Sequence, residues 1–434
     1  MEYLEIFVEP NQEEINDISK RNNNNIEVNE TVKKILSEVK ANKDKALIEF
    51  EKKFDNVQLD SLEVDKEKIE NSEKQIDKSL ARAIKIAAQN ILLFHENQKL
   101  QEKEIEVMEG VKLYRKTVPI KTIGLYIPGG TAPLFSTVLM LGIPAKIAGC
   151  KNIQLCTPPD KNGQINPAVL FAAKIAGIDK IYKVGGAQAI AALAYGTQTI
   201  TKCDKIFGPG NQYVTSAKLQ VSNDCCSIDL PAGPSEVLVV IDKNSNVRFA
   251  ASDLLSQAEH GFDSQAILLI NANKEEGKKI AQKVEEEIEL QMKTLSRKKY
   301  LQKSLKNSKV IIIEEIKKIS NFINTYAPEH LIVNTNSNEI ILSEVENAGS
   351  VFIGPWSCES AGDYASGTNH TLPTGGWAKS YSGVSYDSFI KKITYQQISQ
   401  SGLNQLSSTI IAMAEAERLD GHANAVTVRM EEGK

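Results

Sequence analysis

Two textures alternate along the chain. From Ile26 to about Leu100, apolar positions recur at helical spacing among many charges. Leu80 to Phe94 shows this best, with Ala83, Ile84, Ile86, Ala87, Ile91 and Leu92 at helical spacing and His95 closing the stretch. At Thr122 the texture changes to short apolar runs that alternate with helical segments. Thr122–Ile127, Asn152–Cys156, Lys180–Val184 and Lys205–Phe207 read as strands. Helices are expected from about Ser136, over Pro167–Ala176, over Ala189–Tyr195 and after Asn211. Further strands are expected at Cys226–Leu230, Glu236–Ile241, Ala266–Ile270, Val310–Ile313, Leu331–Val333 and Ser350–Ile353. Between them fall a helix ending at His260, a charged helix from Lys274 to about Lys293, and a helix over Glu315–Tyr326. Repeated strand–helix–strand units imply parallel sheets covered on both faces.

The pattern predicts an α/β protein with two Rossmann-like parallel-sheet domains, one nested in the sequence of the other, and small N-terminal and C-terminal helical arms. The expected boundaries are 1–25 for the first arm, 26–121 together with 238–385 for a discontinuous domain, 122–237 for the nested domain, and 386–434 for a tail. The run Arg21-Asn22-Asn23-Asn24-Asn25 reads as a solvated turn, and a helix is expected over Thr409–Leu419 in the tail.

Composition narrows the class. A length of 434 residues suits two to three domains, and 41% hydrophobic with 24% charged residues is a globular balance. The net charge of −4 leaves no basic surplus for a nucleic-acid partner, and no aromatic–basic stripe suggests single-strand binding. No apolar run reaches membrane-spanning length, and Met1-Glu2-Tyr3-Leu4-Glu5 lacks a signal pattern, so no membrane partner is expected. Six cysteines without regular spacing are no disulfide framework, which makes a cytoplasmic protein with reduced thiols the expectation. Cys150, Cys156, Cys225 and Cys226 have no histidine in their local sequence, so they read as small core residues rather than nucleophiles.

Candidate chemistry lies at turns and helix ends. Pro128-Gly129-Gly130, Gly185-Gly186-Ala187 and Gly208-Pro209-Gly210 each follow a strand and open a helix, where backbone N–H groups can meet phosphates. None completes the GxGxxG fingerprint, since Tyr213 stands at the last glycine position after Gly208. Tight turns of this kind also need glycine for steric reasons alone. Apart from His95, which reads as structural, the histidines lie in Gln257-Ala258-Glu259-His260, Ala327-Pro328-Glu329-His330, Gly367-Thr368-Asn369-His370 and Asp420-Gly421-His422. Each has an amide or carboxylate beside it and a glycine or proline nearby, at the end of an element. Imidazole nitrogens with oxygen donors favour a borderline metal such as zinc, although manganese or cobalt would also accept them. Gln257 and His260 are three apart and share a helical face, which Glu259 does not.

Several longer stretches together resemble histidinol dehydrogenase. They begin at Gly124-Leu125-Tyr126-Ile127-Pro128-Gly129-Gly130, Gly186-Ala187-Gln188-Ala189 and Phe207-Gly208-Pro209-Gly210-Asn211. Ile228 to Val239 and Asp253 to His260 carry the signature itself, and Ala327-Pro328-Glu329-His330, Gly362 to His370 and His422 follow in order. The resemblance implies oxidation of L-histidinol to L-histidine through L-histidinaldehyde, with two NAD⁺ reduced, at the end of histidine biosynthesis. It implies one zinc per subunit, held by Gln257, His260, Asp363 and His422, and an acid–base pair of Glu329 and His330. Ser235 and Glu417 would hold the amino-alcohol end of the substrate, with the metal ligands, His330 and a supporting His370 around it. Tyr126, Gln188 and Asn211 would contact NAD, which makes 122–237 the NAD-binding domain and the discontinuous one the substrate and metal domain. It further implies a homodimer whose tail, with His422, reaches into the partner's site. Two rivals remain open: a dehydrogenase for another amino alcohol, and a zinc-stabilised nucleotide-binding or scaffold protein without turnover.

Overall fold

The structure is a computed structural model describing residues 4–20, 26–99, 102–129, 133–231 and 233–432. The Arg21–Asn25 turn, Gly130 of the first glycine turn and Ala232 of the Pro231–Ser235 turn lie outside the described residues. In chain order the strands are β1 (Glu5–Val8), β2 (Glu104–Met108), β3 (Val111–Pro119), β4 (Thr122–Tyr126), β5 (Asn152–Thr157), β6 (Lys180–Lys183), β7 (Lys205–Phe207), β8 (Ser227–Ile228), β9 (Glu236–Asp242), β10 (Gln265–Asn271), β11 (Lys309–Ile313), β12 (His330–Asn334), β13 (Ser350–Ile353) and β14 (Ile390–Ile398). The chain divides into two units, Met1–Gln98 with Lys121–Ser388, and Lys99–Ile120 with Phe389–Lys434.

The larger unit holds the two expected parallel sheets. One has the order β6-β5-β4-β7-β8 and the other β1-β11-β10-β9-β12-β13. Their central strands are apolar on both faces, as helices packed on either side require: every residue of β4 and of β9 is buried. The strand order switches sides between β4 and β7 in the first sheet and between β9 and β12 in the second, where β1 joins separately at the far edge. The tight turn after β7 is fixed by close backbone approach. Gly208 sits at φ +128, and a Cβ there would run into the Tyr126 carbonyl. A buried ion pair, Lys218 Nζ to Asp229 Oδ1 at 2.5 Å, ties this turn down, since Lys218 also donates to the Gly208 carbonyl and Asp229 accepts from the Gly208 N–H.

Three segments depart from the expected layout. The first arm is not free: β1 pairs with β11 as the edge of the second sheet, and Asn11 caps the following helix Gln12–Ser19 in a capping box with Glu14. The start of the 26–121 segment belongs to the nested domain. Val28, Val32, Ile35, Leu36, Val39, Leu47 and Leu59 share a core with Leu193, Ile206 and Val214 of the first sheet's layers. Amphipathic periodicity shows that a helix needs an apolar partner, but not which sheet supplies it. Residues 104–119 and the start of the tail are strands, forming an antiparallel sheet of order β14-β3-β2.

That sheet defines the smaller unit. With it come the helices Gln400–Ala416 and Asp420–Glu432, so the tail helix begins nine residues before the expected Thr409. Arg418, at φ 59, turns the chain between them. Ile105, Val107, Ile393, Ile398, Met413, Leu419 and Val428 in this unit are exposed. Cys150, Cys156, Cys203 and Cys226 are buried, but Cys225 is exposed, which corrects its reading as a core residue: it follows the last turn of the helix Gln212–Asp224. His95 is fully buried with Nδ1 hydrogen-bonded to Gln98 Oε1 (3.1 Å), a structural arrangement. Among the described residues no helix is long and apolar enough to cross a membrane.

Candidate active site

The site grows from the amino-terminal edge of the second sheet. Strands β9 and β12 are neighbours there, with His330 opposite Val237, so Ser235 and Glu236 enter one strand beside Glu329 and His330 entering the other. The helix Val247–Ala258 runs back from the far edge, and its end delivers Gln257 and His260 to the same place. Ala327, fully buried, is held at φ 50 and ψ 67 to end the helix Ile316–Tyr326 and start Pro328-Glu329-His330. A left-handed conformation costs a non-glycine residue about 1–2 kcal/mol, a strain of the kind found where side chains must be aimed.

The short helix Glu359–Tyr364 packs against the helix Val247–Ala258 and carries Asp363. Glu359, four residues earlier on the same face, comes with it. Ligand atoms of His260, Glu359 and Asp363 all lie within 4.8 Å of one another. Asp363 Oδ1 stands 3.5 Å from His330 Nε2, and its Oδ2 stands 3.9 Å from His260 Nε2. Glu329 Oε2 lies 3.7 Å from His330 Nδ1 and accepts from the Glu236 N–H (2.9 Å). Glu236 in turn accepts from the Gly375 N–H (3.0 Å). His370 uses both ring nitrogens, Nδ1 with the Asp363 carbonyl (2.9 Å) and Nε2 with Thr137 Oγ1 (3.0 Å).

Burial sets the electrostatics. It pushes the Glu329 carboxyl up to about 8, partly opposed by His330 and the Glu236 N–H. It would depress His330, yet the facing carboxylates of Glu359, Glu329 and Asp363 outweigh it and raise that imidazole to about 10. Burial works against Asp363 as well, but its hydrogen bond to His330 and the nearby imidazoles hold it below the usual carboxylate range. Glu359 is pushed well above that range by burial.

The cluster fits a cation. Gln257 is fully buried with neither amide atom hydrogen-bonded, and both oxygens of the buried Glu359 are equally without partners. Buried polar groups are seldom left so unless another group completes them. Nitrogen and oxygen donors of this kind suit zinc or a similar divalent ion. Glu359 is the residue the sequence reading missed. Its spacing of four from Asp363 was the available signal.

At the carboxyl edge of the first sheet, Tyr126 and Gln188 come together. Tyr126 Oη accepts from the Gly186 N–H (3.1 Å) at the start of the helix Gly186–Tyr195, where Gln188 is buried. Asn211 caps the next helix, with Oδ1 accepting from the Tyr213 and Val214 N–H groups, and its Nδ2 takes no part in the cap. Thr137, which opens into the helix Phe135–Ala148 after β4, reaches His370 and so joins this edge to the polar cluster. Ser235 lies beside Glu236, while Glu417 and His422 lie in the smaller unit, at the end of one tail helix and the first turn of the next.

A buried acid and base beside a cation-fitting cluster, on two parallel α/β sheets, is the constellation of an enzyme. The comparisons narrow the class. The histidinol dehydrogenase family profile matches residues 18–430. Histidinol dehydrogenase of Bacteroides fragilis (strain YCH46) is 55% identical over 403 residues, 93% of each chain. That of Bacteroides thetaiotaomicron is 53% identical over 428 residues, 98% of this chain and 99% of its own. The crystal structure of histidinol dehydrogenase from Elizabethkingia anophelis superposes with a TM-score of 0.95 at 49% identity, over 100% of this chain and 99% of that one. The chain belongs to the histidinol dehydrogenase family and is a dehydrogenase.

Proposed function

We propose that the protein oxidises L-histidinol to L-histidine through L-histidinaldehyde, reducing two NAD⁺, as the last steps of histidine biosynthesis in the cytoplasm. The observation that carries this reading is the buried pair Glu329–His330 standing beside the His260, Glu359 and Asp363 cluster. A scaffold protein needs no such pair of proton carriers.

In this reading zinc is held by Gln257, His260 and Asp363 of one subunit and by His422 of the partner subunit, in a homodimer with exchanged tails. The exposed apolar residues of the smaller unit, such as Ile393, Met413 and Leu419, support an assembly that covers them. Zinc supplies an electrophilic anchor without redox chemistry of its own, and NAD⁺ supplies the hydride acceptor. The domain built on the first sheet contacts NAD through Tyr126, Gln188 and Asn211. The domain built on the second sheet holds metal and substrate, with Ser235 and Glu417 at the amino-alcohol end and His370 supporting Asp363.

The chain's own groups manage the protons. With the charge of the carboxylates that raise His330 offset by the proposed cation, its imidazole would be free to take the hydroxyl proton as the alcohol becomes the aldehyde. Its Nε2 is turned toward Asp363, leaving Nδ1 to carry that proton within 3.7 Å of Glu329 Oε2. Glu329 then accepts a proton from the water that adds to the aldehyde carbon while His330 returns its proton to the carbonyl oxygen, and the restored His330 takes a hydroxyl proton of the resulting hydrate as it becomes the acid. Each oxidation releases one proton and one hydride, so the two balance two NAD⁺.

The deciding experiment is NADH absorbance on adding L-histidinol to zinc-loaded protein, repeated after chelation and with amino alcohols that lack an imidazole. NADH formation with L-histidinol alone, lost on chelation and regained on zinc addition, is the expected result. No NADH from the zinc-loaded protein would overturn the reading.

A further inference from the structure

One buried carboxylate takes no part in this chemistry. Glu51 opens the five-residue π-turn Glu51–Asp55 that ends the helix Ile26–Phe50, and it is fully buried. The turn closes on Asn56, a non-glycine residue at φ 56. A π-turn, a left-handed asparagine and a buried carboxyl are each unfavourable, and irregular turns with such costs cluster at functional sites. The carboxyl is directed at the proposed cofactor contacts. Its Oε1 accepts from the Gly185 N–H (3.1 Å) and from Gln188 Nε2 (3.0 Å). Its Oε2 receives no hydrogen bond, and the Asp55 carboxyl lies beside it. Burial first, and the neighbouring Asp55 carboxylate after it, lift Glu51 from 4.5 to about 7 against the opposing hydrogen bonds from Gln188 and Gly185.

A side-chain amide can turn over about its last torsion, exchanging donor for acceptor. Glu51 removes that freedom from Gln188, because only Nε2 can donate to it. Gln188 Oε1 is then set against Gly186, where a Cβ would stand 2.8 Å from it. The N–H of the same Gly186, at φ +58, is received by Tyr126 Oη. Glu51 therefore fixes the amide and the glycine turn together, from behind.

We propose that Glu51 is a positioning residue for the dinucleotide, holding Gln188 and the Gly185-Gly186 turn in the one arrangement that binds it. The inference rests on the reading that Tyr126 and Gln188 contact NAD.

The test compares Glu51→Leu, Glu51→Gln and Gln188→Ala in the full-length zinc-loaded protein. Titration calorimetry gives Kd for NAD⁺, and steady-state kinetics give KM for each substrate and kcat. E51L should weaken NAD⁺ binding about tenfold, equivalent to about 1.4 kcal/mol. Its KM for the alcohol and its kcat at saturating NAD⁺ should stay within about twofold, because the groups that carry protons are not touched. E51Q keeps an acceptor oxygen for Gln188 and can donate to Asp55, so it should recover Kd to within about threefold. If Q188A weakens NAD⁺ binding and E51L does not, the positioning role is wrong. An E51L that lowers kcat and raises both KM values alike would be a structural defect and also overturn it. If Q188A leaves Kd unchanged, the cofactor reading at Gln188 fails, whatever E51L does. Should E51L not fold, Glu51→Asp retains the charge but shortens the reach, and it must weaken NAD⁺ binding for the inference to stand.

Discussion

Replacing Glu329 by Gln separates the two oxidations. The amide fits the same volume, and its carbonyl can still accept the Glu236 N–H now received by Oε2 at 2.9 Å. What disappears is the ability to take a proton, the group's task in hydrating the aldehyde. A positioned general base contributes about 100- to 10,000-fold, or roughly 3–5 kcal/mol of barrier. Aldehyde oxidation should fall by that factor, while alcohol oxidation, served by His330, should fall less than about tenfold. Burial raises Glu329, so its ionised form grows as pH rises across neutrality, and the wild-type aldehyde step should gain with pH more steeply than the variant's. The assay is NADH absorbance with L-histidinol or L-histidinaldehyde supplied in turn. The wild type yields two NADH per histidinol, and the variant should yield one and accumulate trappable aldehyde. An unimpaired aldehyde step with the wild-type pH slope would refute the division of labour.

Removing the Lys218 charge with Lys218→Met strands Asp229, whose side chain is 1% exposed. Denaturant titration should show a loss of about 3–5 kcal/mol, and a change under about 1 kcal/mol would contradict a tightly held pair. Glu51 is raised from 4.5 to about 7, so between those pH values the folded state binds more protons than the unfolded chain and stability falls as pH rises. E51Q should match the wild type below about pH 4.5 and gain on it up to about pH 7, by at most about 3 kcal/mol, in thermal or denaturant melts. A gain that grew toward acid would have the wrong sign. Mixing refolded His260→Ala and His422→Ala subunits, each inactive alone, should restore about a quarter of wild-type activity if tails are exchanged, because each hybrid dimer keeps one intact site. No recovery in verified hybrids would exclude a site shared between subunits.

The two sheets were legible because each central strand is an apolar run bounded by turn residues, as at Glu236–Ile241 and Val310–Ile313. Segments whose partners are remote were not. β14 reads Ile-Lys-Lys-Ile-Thr-Tyr-Gln-Gln-Ile, which lacks strict alternation of polar and apolar positions, and all but Ile390 are exposed, so Ile390–Ile398 carries no clear strand pattern of its own. Its pairing with Val111–Pro119 comes from a segment almost three hundred residues away. The His260, Glu329–His330 and His370 stretches stood out because histidine is rare here and each sits at an element's end, whereas Asp363 entered only through the family resemblance. Glu359 and Glu51 were not found, because a glutamate on a helix is ordinarily a solvated charge. Only tertiary packing makes them buried groups.

Strand direction explains why the two halves present opposite edges. In a parallel α/β sheet, helices begin at the carboxyl edge and end at the amino edge. The carboxyl edge collects free N–H groups and partial positive charge, and the amino edge collects carbonyls and partial negative charge. Gln188 and Asn211 stand at helix starts of the first sheet, where an anionic dinucleotide is favoured. Gln257 and His260 stand at a helix end of the second, where a cation is favoured. Ligands of open α/β sheets ordinarily gather at carboxyl edges, so the placement of Glu329 and His330 at the start of β12 departs from habit, and the charge of the proposed metal accounts for it. Hydride transfer requires the two kinds of edge to meet. Thr137, from the first sheet's carboxyl side, and Asp363, from the second sheet's amino side, hold the same His370 ring between them at 3.0 and 2.9 Å. Through both of its nitrogens, that ring ties the proposed cofactor edge to the proposed metal edge.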